Sequence, residues 1–318
     1  MLGLLMLFAL AYALLLTAMV AGVLWQMNRP RRKTVGVSLA MGGPGDPADL
    51  ELAAREVEFP LADGSISPGW VIDGARPQGP VAVVVHGHRD SRFGSLYRAQ
   101  MLAPYTAAVA VFDLPGHGDA AAARCLMGER EARDVVSVAR HLADHLPAAL
   151  AARPVVLLGY SMGATIVIKA AAAEPGRFAG VIACAPYRFW DQGLRGQLRR
   201  RGLPAWPTVP LVGLILRAAQ VLKLPGPGGL GEPPGLDRAA DAAGLDAPLL
   251  VLHGDADDIC PLDAGRAIAR AAPDGKLVVI AGGTHNQLLA ADHDAVHAAL
   301  QTFFAKLDGP DAARGSSL

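Results

Sequence analysis

A serine in the middle of the chain lies in a setting that can make it a nucleophile. Gly159, Ser161 and Gly163 form the pattern G-x-S-x-G, which follows the strand-like apolar run 154–158 and precedes small, helix-like apolar residues. A serine hydroxyl is a poor nucleophile at neutral pH, and it needs a base to take its proton and an acid to orient that base. If Ser161 reacts, the fold must therefore bring a histidine and a carboxylate to it.

A carboxylate and a histidine do follow two later strand-like runs. The loop after "PLLVLHG" carries three aspartates, Asp255, Asp257 and Asp258. The loop after "KLVVIAGG" carries His285. Catalytic groups gather at the carboxyl ends of parallel strands, so we expect both loops to lie beside Ser161. The chain order of serine, aspartate and histidine is one in which such triads occur, but the residues alone leave open which aspartate is the acid.

Strand-like and helix-like runs alternate through most of the chain, and they would position these groups. A hairpin signal at Asp63 and Gly64 joins the first two strands. Further strands are predicted at 81–85, 107–112, 154–158, 179–184, 248–252 and 276–280. Helices are predicted at 91–103, 129–145, 164–173, 264–271 and 287–304. Near-continuous apolar strands that alternate with helices are typical of a mostly parallel central sheet with helices on both faces.

Five successive strand ends resemble those of the α/β-hydrolase family. More narrowly, they are similar to its serine-aminopeptidase-like branch, which includes membrane-anchored bacterial members. The matching stretches are "VVVHGHRDS", "VFDLPGHGD", "GYSMG", "HGDADDICP" and "GGTH", within about 56–306. The resemblance implies an α/β-hydrolase fold, with Ser161 as nucleophile and His285 as general base. It implies Asp257 as the acid, counted from His253 in the pattern H-G-x-x-D, and leaves the neighbouring aspartates as substitutes.

The resemblance also implies an oxyanion hole and a tight turn around the nucleophile. The two oxyanion donors would be the backbone N–H groups of His88 and Met162. Gly159 and Gly163 would let the strand and the helix approach each other closely. The resemblance calls for no cofactor.

A metal site is the alternative for the first of these loops. His86, His88 and Asp90 read H-x-H-x-D, part of the pattern of metallo-β-lactamase-type hydrolases, but Ser91 stands where that pattern has its last histidine. The same residues fit an oxyanion loop, so we expect no metal. His117, in "GHG", is expected to be structural because a triad needs only one base.

Composition excludes several other classes of function. The 318 residues carry 29 Lys and Arg against 29 Asp and Glu, so no excess of positive charge favours nucleic acid as a partner. Cysteines are few, odd in number and scattered, at Cys125, Cys184 and Cys260. This pattern predicts buried reduced thiols rather than disulfides or a zinc site.

The first residues predict a single-pass membrane anchor at 1–27. No charged residue occurs between Leu2 and Trp25, and a helix of that length spans about 36 Å against a hydrocarbon core of about 30 Å. A signal peptide has basic residues before a shorter apolar core. Here the basic residues follow the apolar run, at Arg29, Arg31, Arg32 and Lys33. Positive flanks stay on the cytoplasmic side, so we expect the main domain to be cytoplasmic; cleavage and export is the alternative.

The rest of the chain divides by composition. We expect a loose linker at 28–53, a hydrolase domain at 54–307 and a flexible tail at 308–318. Residues 187–245 separate two late strands by more than one helix needs, and insertions of that length are often lids. The arginine run 199–201 within it is either a solvated face or a contact with anionic lipid headgroups.

These features together predict a serine hydrolase. Ser161 would attack an ester, thioester or amide carbonyl, with His285 taking its proton and Asp257 fixing the imidazole. The lid is rich in Leu and Val and contains Trp206, which favours a small-molecule substrate with an apolar acyl group and an esterase or lipase-like activity. Membrane lipid is the other expected partner. A peptidase, an acyltransferase or a non-catalytic interaction protein on the same fold stays open, as does the oligomeric state.

Overall fold

The computed structural model describes residues 1–121, 123–222 and 236–309, and a single sheet forms the centre of that part of the chain. Its strands are β1 Ala54–Pro60, β2 Ile66–Asp73, β3 Val81–Val85, β4 Ala108–Phe112, β5 Val155–Tyr160, β6 Phe178–Cys184, β7 Leu249–Gly254 and β8 Gly275–Ile280. Their spatial order is β1-β2-β4-β3-β5-β6-β7-β8. The pairs β1–β2 and β2–β4 are antiparallel, and the other neighbouring pairs are parallel, as the sequence predicts.

Helices cover both faces of this sheet. They are α1 Leu2–Asn28, α2 Val35–Ala40, α3 Arg92–Leu102, α4 Glu129–His141, α5 Ala148–Ala151, α6 Met162–Ala173, α7 Trp190–Arg200, α8 Thr208–Val221, α9 Arg238–Ala243, α10 Leu262–Ala271, α11 Leu288–Ala291 and α12 His293–Leu307. Helices α4, α6 and α10 pack on one face of the sheet, and α3 and α12 pack on the other. The fold is the predicted α/β arrangement.

Each central strand contributes to both hydrophobic cores, because alternate side chains of a strand point to opposite faces. In β3, Val83 belongs to one core and Val84 to the other, and neither has any exposed surface. Burial of a valine side chain contributes about 1.5–3 kcal/mol, so this strand stabilises both layers. The three cysteines are buried and free, as predicted.

The predicted elements differ from the observed ones mainly at their ends. β5 continues two residues beyond the predicted end, because Gly159 pairs with Val85 and Ala183 on its two sides. The helix predicted at 287–304 is two helices, since Asp292 interrupts it and accepts a hydrogen bond from the Ala295 N–H at 3.0 Å. Asp292 thereby caps the start of α12.

Residues 28–53 have more order than the predicted loose linker. The Asn28 carbonyl accepts a hydrogen bond from the Cys125 N–H at 2.9 Å, and the Arg32 guanidinium donates to the Gly118 carbonyl at 2.8 Å. Lys33 forms an ion pair with Asp90 at 3.2 Å. These contacts attach the chain after α1 to the loops at the carboxyl end of the sheet, so the segment that connects α1 to the main domain is fixed in place.

The long insertion between β6 and β7 contains α7, α8 and α9, whereas residues 223–235 of the predicted lid lie outside the described residues. We call α7 and α8 the cap. The second half of α1 packs against the cap, with Val20 and Met27 buried beside Val212 and Leu216. Most of the predicted tail, from 310 onward, also lies outside the described part.

Candidate active site

Ser161 occupies a strained turn between β5 and α6. Its φ is +54°, a left-handed value that costs a residue with a side chain on the order of 1–3 kcal/mol. A Cβ at Gly159 would overlap the Gly163 carbonyl, and a Cβ at Gly163 would overlap the Val85 carbonyl. The two glycines therefore allow the strand and the helix to approach, and the turn between them raises the serine above the end of the sheet.

The structure brings His285 and Asp257 to this serine. His285 Nε2 lies 2.9 Å from Ser161 Oγ, and His285 Nδ1 lies 2.8 Å from Asp257 Oδ2. The side chains of Asp257 and His285 are 1% and 7% exposed. A carboxylate only accepts hydrogen bonds, so Nδ1 carries the proton and Nε2 is free to accept the serine proton.

Asp257 is held in place by its own loop. Its Oδ1 accepts hydrogen bonds from the backbone N–H groups of Ile259 at 2.9 Å and Cys260 at 2.8 Å. Burial alone would raise the pKa of this carboxyl, but the hydrogen bond and charge of His285 and the two N–H groups outweigh it and lower the pKa below its ordinary value. The side chain is therefore ionised at neutral pH.

The other two aspartates of this loop point elsewhere. Asp255 Oδ1 accepts from the Gly282 N–H at 2.7 Å, and Asp258 is about half exposed and lies 3.7 Å from Arg200. Neither forms a hydrogen bond with His285 within the described residues. The geometry thus favours Asp257 as the acid.

Two positioning residues were not singled out for such a role by the sequence. The Tyr160 hydroxyl donates to the His285 carbonyl, and burial raises the pKa of this phenol. His253 Nε2 donates to the Cys260 carbonyl at 3.1 Å and lies 3.5 Å from Asp257 Oδ2. Burial lowers the pKa of His253, so it is neutral and braces the aspartate loop. In the sequence, His253 is only the start of the pattern H-G-x-x-D, and Tyr160 is only the residue before Ser161, so neither role was predicted.

The loop after β3 lies beside the serine. A Cβ at Gly87 would stand 3.2 Å from the Tyr160 carbonyl and 3.4 Å from Ser161 Cβ. His88 and Met162, whose backbone N–H groups are the predicted oxyanion donors, line the same cavity as Ser161.

The alternative metal pattern does not assemble in this loop. Its first histidine, His86, uses both ring nitrogens: Nε2 accepts from the Leu114 N–H at 3.0 Å, and Nδ1 donates to the Gly87 carbonyl at 2.8 Å. Its Asp90 pairs with Arg98 at 3.0 Å. Burial would raise the pKa of Asp90, but the positive charges of Arg98 and Lys33 lower it to about 2. These residues fix the loop instead of forming a ligand set.

The cavity above Ser161 has a volume of about 210 Å³. The sequence predicts a pocket between the strand ends and the lid, and α7 does form one wall, through Trp190, Leu194 and Leu198. The opposite wall is α1, whose residues Met19 to Met27 contribute to the lining. This second wall is a finding of the structure.

Polar contact connects α1 with the candidate oxyanion loop. His88 Nε2 lies 3.2 Å from the Met27 carbonyl, one of the last carbonyls of α1. Burial lowers the pKa of His88 to about 4, so the ring is neutral at physiological pH and Nε2 carries the donated proton. The helix end is thereby satisfied by a residue of the site.

The sequence and the fold together define the class of protein. Residues 82–299, more than half of the chain, match the family described as the alpha/beta hydrolase family. The chain belongs to that family. A comparison with curated protein sequences finds no match.

Solved structures with the same fold include two that are described as esterases. The Pyrococcus furiosus esterase Pf2001 has a TM-score of 0.66 at 19% identity, over 89% of this chain and 98% of that one. A thermophilic esterase from Thermogutta terrifontis has a TM-score of 0.57 at 23% identity, over 80% and 100%. Est1E from Butyrivibrio proteoclasticus has a TM-score of 0.52 at 18% identity, over 79% and 98%. At these identities the likeness establishes the fold alone.

Proposed function

We propose that this protein is a membrane-anchored serine esterase that cleaves carboxylic esters with an apolar acyl group. The observation that carries the proposal is the continuous hydrogen-bonded series Ser161–His285–Asp257, with distances of 2.9 and 2.8 Å, on a strained turn at the floor of an apolar cavity. The esterases among the structures of the same fold are consistent with this reaction class.

The reaction would proceed through an acyl-enzyme. His285 Nε2 takes the Ser161 proton as Oγ forms a bond with the ester carbonyl carbon, and the backbone N–H groups of His88 and Met162 hold the resulting oxyanion. The carbon–oxygen bond to the alcohol then breaks, and the alcohol leaves with the proton from His285. Water attacks the acyl-enzyme with His285 again as base, which releases the acid and restores the serine.

Asp257 would act through His285. Because its carboxylate faces Nδ1 at 2.8 Å, it holds the imidazole in the tautomer that presents a free Nε2 to the serine. Its negative charge then stabilises the imidazolium that forms when the serine proton arrives. Burial strengthens this interaction, because little water screens a pair whose side chains are almost wholly inaccessible.

The anchor is supported by α1 itself. Leu2–Asn28 is one continuous helix of 27 residues with a mean hydropathy of 2.5 in its most apolar window, and only 6% of that window is buried. The basic residues after it favour a cytoplasmic domain. Cleavage of α1 as a signal sequence is disfavoured, because it would remove one wall of the cavity. The topology test is protease access, with digestion expected only in opened cells.

The test of the activity is labelling with a fluorophosphonate probe, followed by peptide mapping. We expect the modification on Ser161 alone. Product analysis in water with and without added alcohol then separates hydrolysis from acyl transfer. A protein that carries no label and releases no acid from nitrophenyl esters of any chain length would be a non-catalytic member of the fold.

A further inference from the structure

Helix α1 has an exposed part and a packed part. From Leu2 to Leu15 its large apolar side chains are mostly exposed, whereas Val20 is 6% and Met27 9% exposed because they pack on the cap. A transmembrane helix needs about 20 apolar residues, so a span that ends at Trp25, just before Arg29, begins near residue 5. Such a span would include the packed residues up to Trp25 and place them in the leaflet on the side of the main domain.

The cavity uses the packed part as a wall. The lining residues of α1 are Met19, Gly22, Val23, Gln26 and Met27. The lining residues of α7 are Trp190, Gly193, Leu194, Gln197 and Leu198. Both sets have the spacing i, i+3, i+4, i+7, i+8, which is one face of a helix. Two helix faces thus border a groove that leads from bilayer depth, beside Met19, to Ser161.

The outer surface of the cap also suits contact with a membrane. Large apolar side chains are exposed on α8 and on the residues that flank it, namely Leu203, Trp206, Leu214, Ile215, Val221 and Leu222, some of them 60–79% exposed. Large apolar patches on a protein surface mark sites of protein or membrane contact. Arg201 at the edge of the cap donates to the Gln26 side chain at 3.2 Å, which puts a positive charge where α1 would leave the hydrocarbon. The cap is therefore built to lie against the membrane beside α1.

We infer that α1 is a substrate-binding wall as well as an anchor, and that the substrate is a membrane lipid ester that enters laterally from the bilayer. Its acyl chain would lie between α1 and α7, with the ester carbonyl at Ser161. A soluble ester would instead approach from water without using the groove. This inference rests on the esterase activity proposed above and specifies its substrate class.

Gly22 provides a sharp test. A Cβ at Gly22 meets no atom within 4 Å, so the side chain of Gly22→Phe starts in open space beside the groove. Gly3 also has no atom within 4 Å of a Cβ and lies at the far end of α1, so Gly3→Phe is the matched control. The full-length variants are placed in phosphatidylcholine vesicles. One assay uses 4-nitrophenyl palmitate within the bilayer, and the other uses 4-nitrophenyl acetate in the water.

We expect Gly22→Phe to lower kcat/KM for the palmitate ester at least about tenfold more than kcat/KM for the acetate ester, because a filled apolar site rejects the longer chain. Gly3→Phe should change neither. Equal losses with both esters, unchanged palmitate hydrolysis or the same effect from Gly3→Phe would each overturn the inference. Acetate hydrolysis that survives Ser161→Ala would instead overturn the proposed activity.

The route of entry has its own measurement with the unmodified protein. At constant total palmitate ester, added phosphatidylcholine lowers the mole fraction of ester in the bilayer. A rate that falls with this mole fraction supports lateral entry. A rate that depends only on the total concentration contradicts it.

Discussion

The floor and the roof of the cavity are built on different physical principles. At the floor, Ser161, His285 and Asp257 are fixed by hydrogen bonds at the ends of strands, with almost no exposed surface at the acid and the base. The roof consists of α1 and the cap, which meet through apolar side chains such as Val20 and Leu216. Directional bonds fix atoms to fractions of an ångström, whereas apolar packing tolerates sliding.

This difference separates two properties of the enzyme. Changes at the floor should abolish the reaction for every substrate, because the residues of the proposed triad would act as a unit. Changes at the roof should select among substrates, because the helix faces touch only the part of a substrate that reaches them. Short and long esters therefore provide the measurement that distinguishes the two regions.

The largest effect is expected from removal of the proposed nucleophile. Ser161→Ala should lower kcat by about 10⁴-fold or more for short and long esters alike. Its melting temperature should change little, since alanine keeps the fold and the change removes one hydrogen bond, to His285 Nε2. The control is Ser65→Ala, an exposed serine on the hairpin turn. A variant that still reacts with a fluorophosphonate would place the nucleophile elsewhere.

Replacement of the acid should have the next largest effect. Asp257→Asn should lower kcat by about 10³- to 10⁴-fold, because the amide favours the wrong tautomer of His285. Asp258→Asn, in the same loop, should stay within about twofold, since Asp258 is half exposed and contacts Arg200. Initial rates with 4-nitrophenyl butyrate provide the measurement. Comparable losses from the two changes would show that the roles of the aspartates are wrong.

The floor was largely predictable from the sequence, because its signals are local. An apolar strand, a turn and a reactive side chain occur within ten residues of one another at Ser161, Asp257 and His285. The sequence did not predict the contacts by which distant parts of the fold hold these residues in place. Tyr160 contacts the His285 carbonyl 125 positions away, and this contact exists only after the sheet assembles.

The roof was predictable only in outline. The run 2–25 has the hydropathy of a membrane span, and hydropathy does not reveal that one face of this helix packs on the cap. The segment 28–53 has the Gly and Pro content of a loose linker, yet Lys33 and Arg32 tie it to the domain. Long-range packing of this kind depends on surfaces that form only when the cap is in place.

His88 connects the floor to the roof through its hydrogen bond to the Met27 carbonyl, and protonation of His88 should destabilise the folded protein. The pKa of His88 is about 4 in the folded protein because of burial, against about 6.5 in an unfolded chain. Between these values the unfolded chain binds a proton that the folded chain does not, so the free energy of unfolding decreases as pH falls from about 6.5 to 4. Burial lowers the pKa of His86, His117 and His253 as well, which adds to the same trend.

The measurement is the melting temperature of the full-length protein at pH 7.5 and pH 5. We expect a lower value at pH 5, and His88→Gln should reduce the difference by roughly 2–4 °C, because glutamine keeps a donor near the Met27 carbonyl but does not titrate. His141→Gln is the control, since His141 lies on α4, far from the cavity. If the melting temperature falls by the same amount between pH 7.5 and pH 5 in the unmodified protein and in His88→Gln, the titration of His88 does not contribute to the pH dependence.

The smallest effect is expected at the edge of the roof. Arg201 lines the cavity and bonds to Gln26, and it has no carboxylate partner among the described residues, so its charge is available to anionic headgroups. One such charge near a membrane contributes about 1 kcal/mol, so Arg201→Gln should slow palmitate hydrolysis roughly fivefold in vesicles that contain phosphatidylglycerol. In vesicles of phosphatidylcholine alone the change should be less than about twofold, because no headgroup carries a net charge. With the acetate ester, which is in the water, the change should also be less than about twofold.

Arg266→Gln on α10, where the arginine pairs with Asp263 away from the cavity, is the matched control. A loss that is equal in both kinds of vesicle would mean that Arg201 acts through its bond to α1, and that the roof is held at this point by a directional contact like those of the floor.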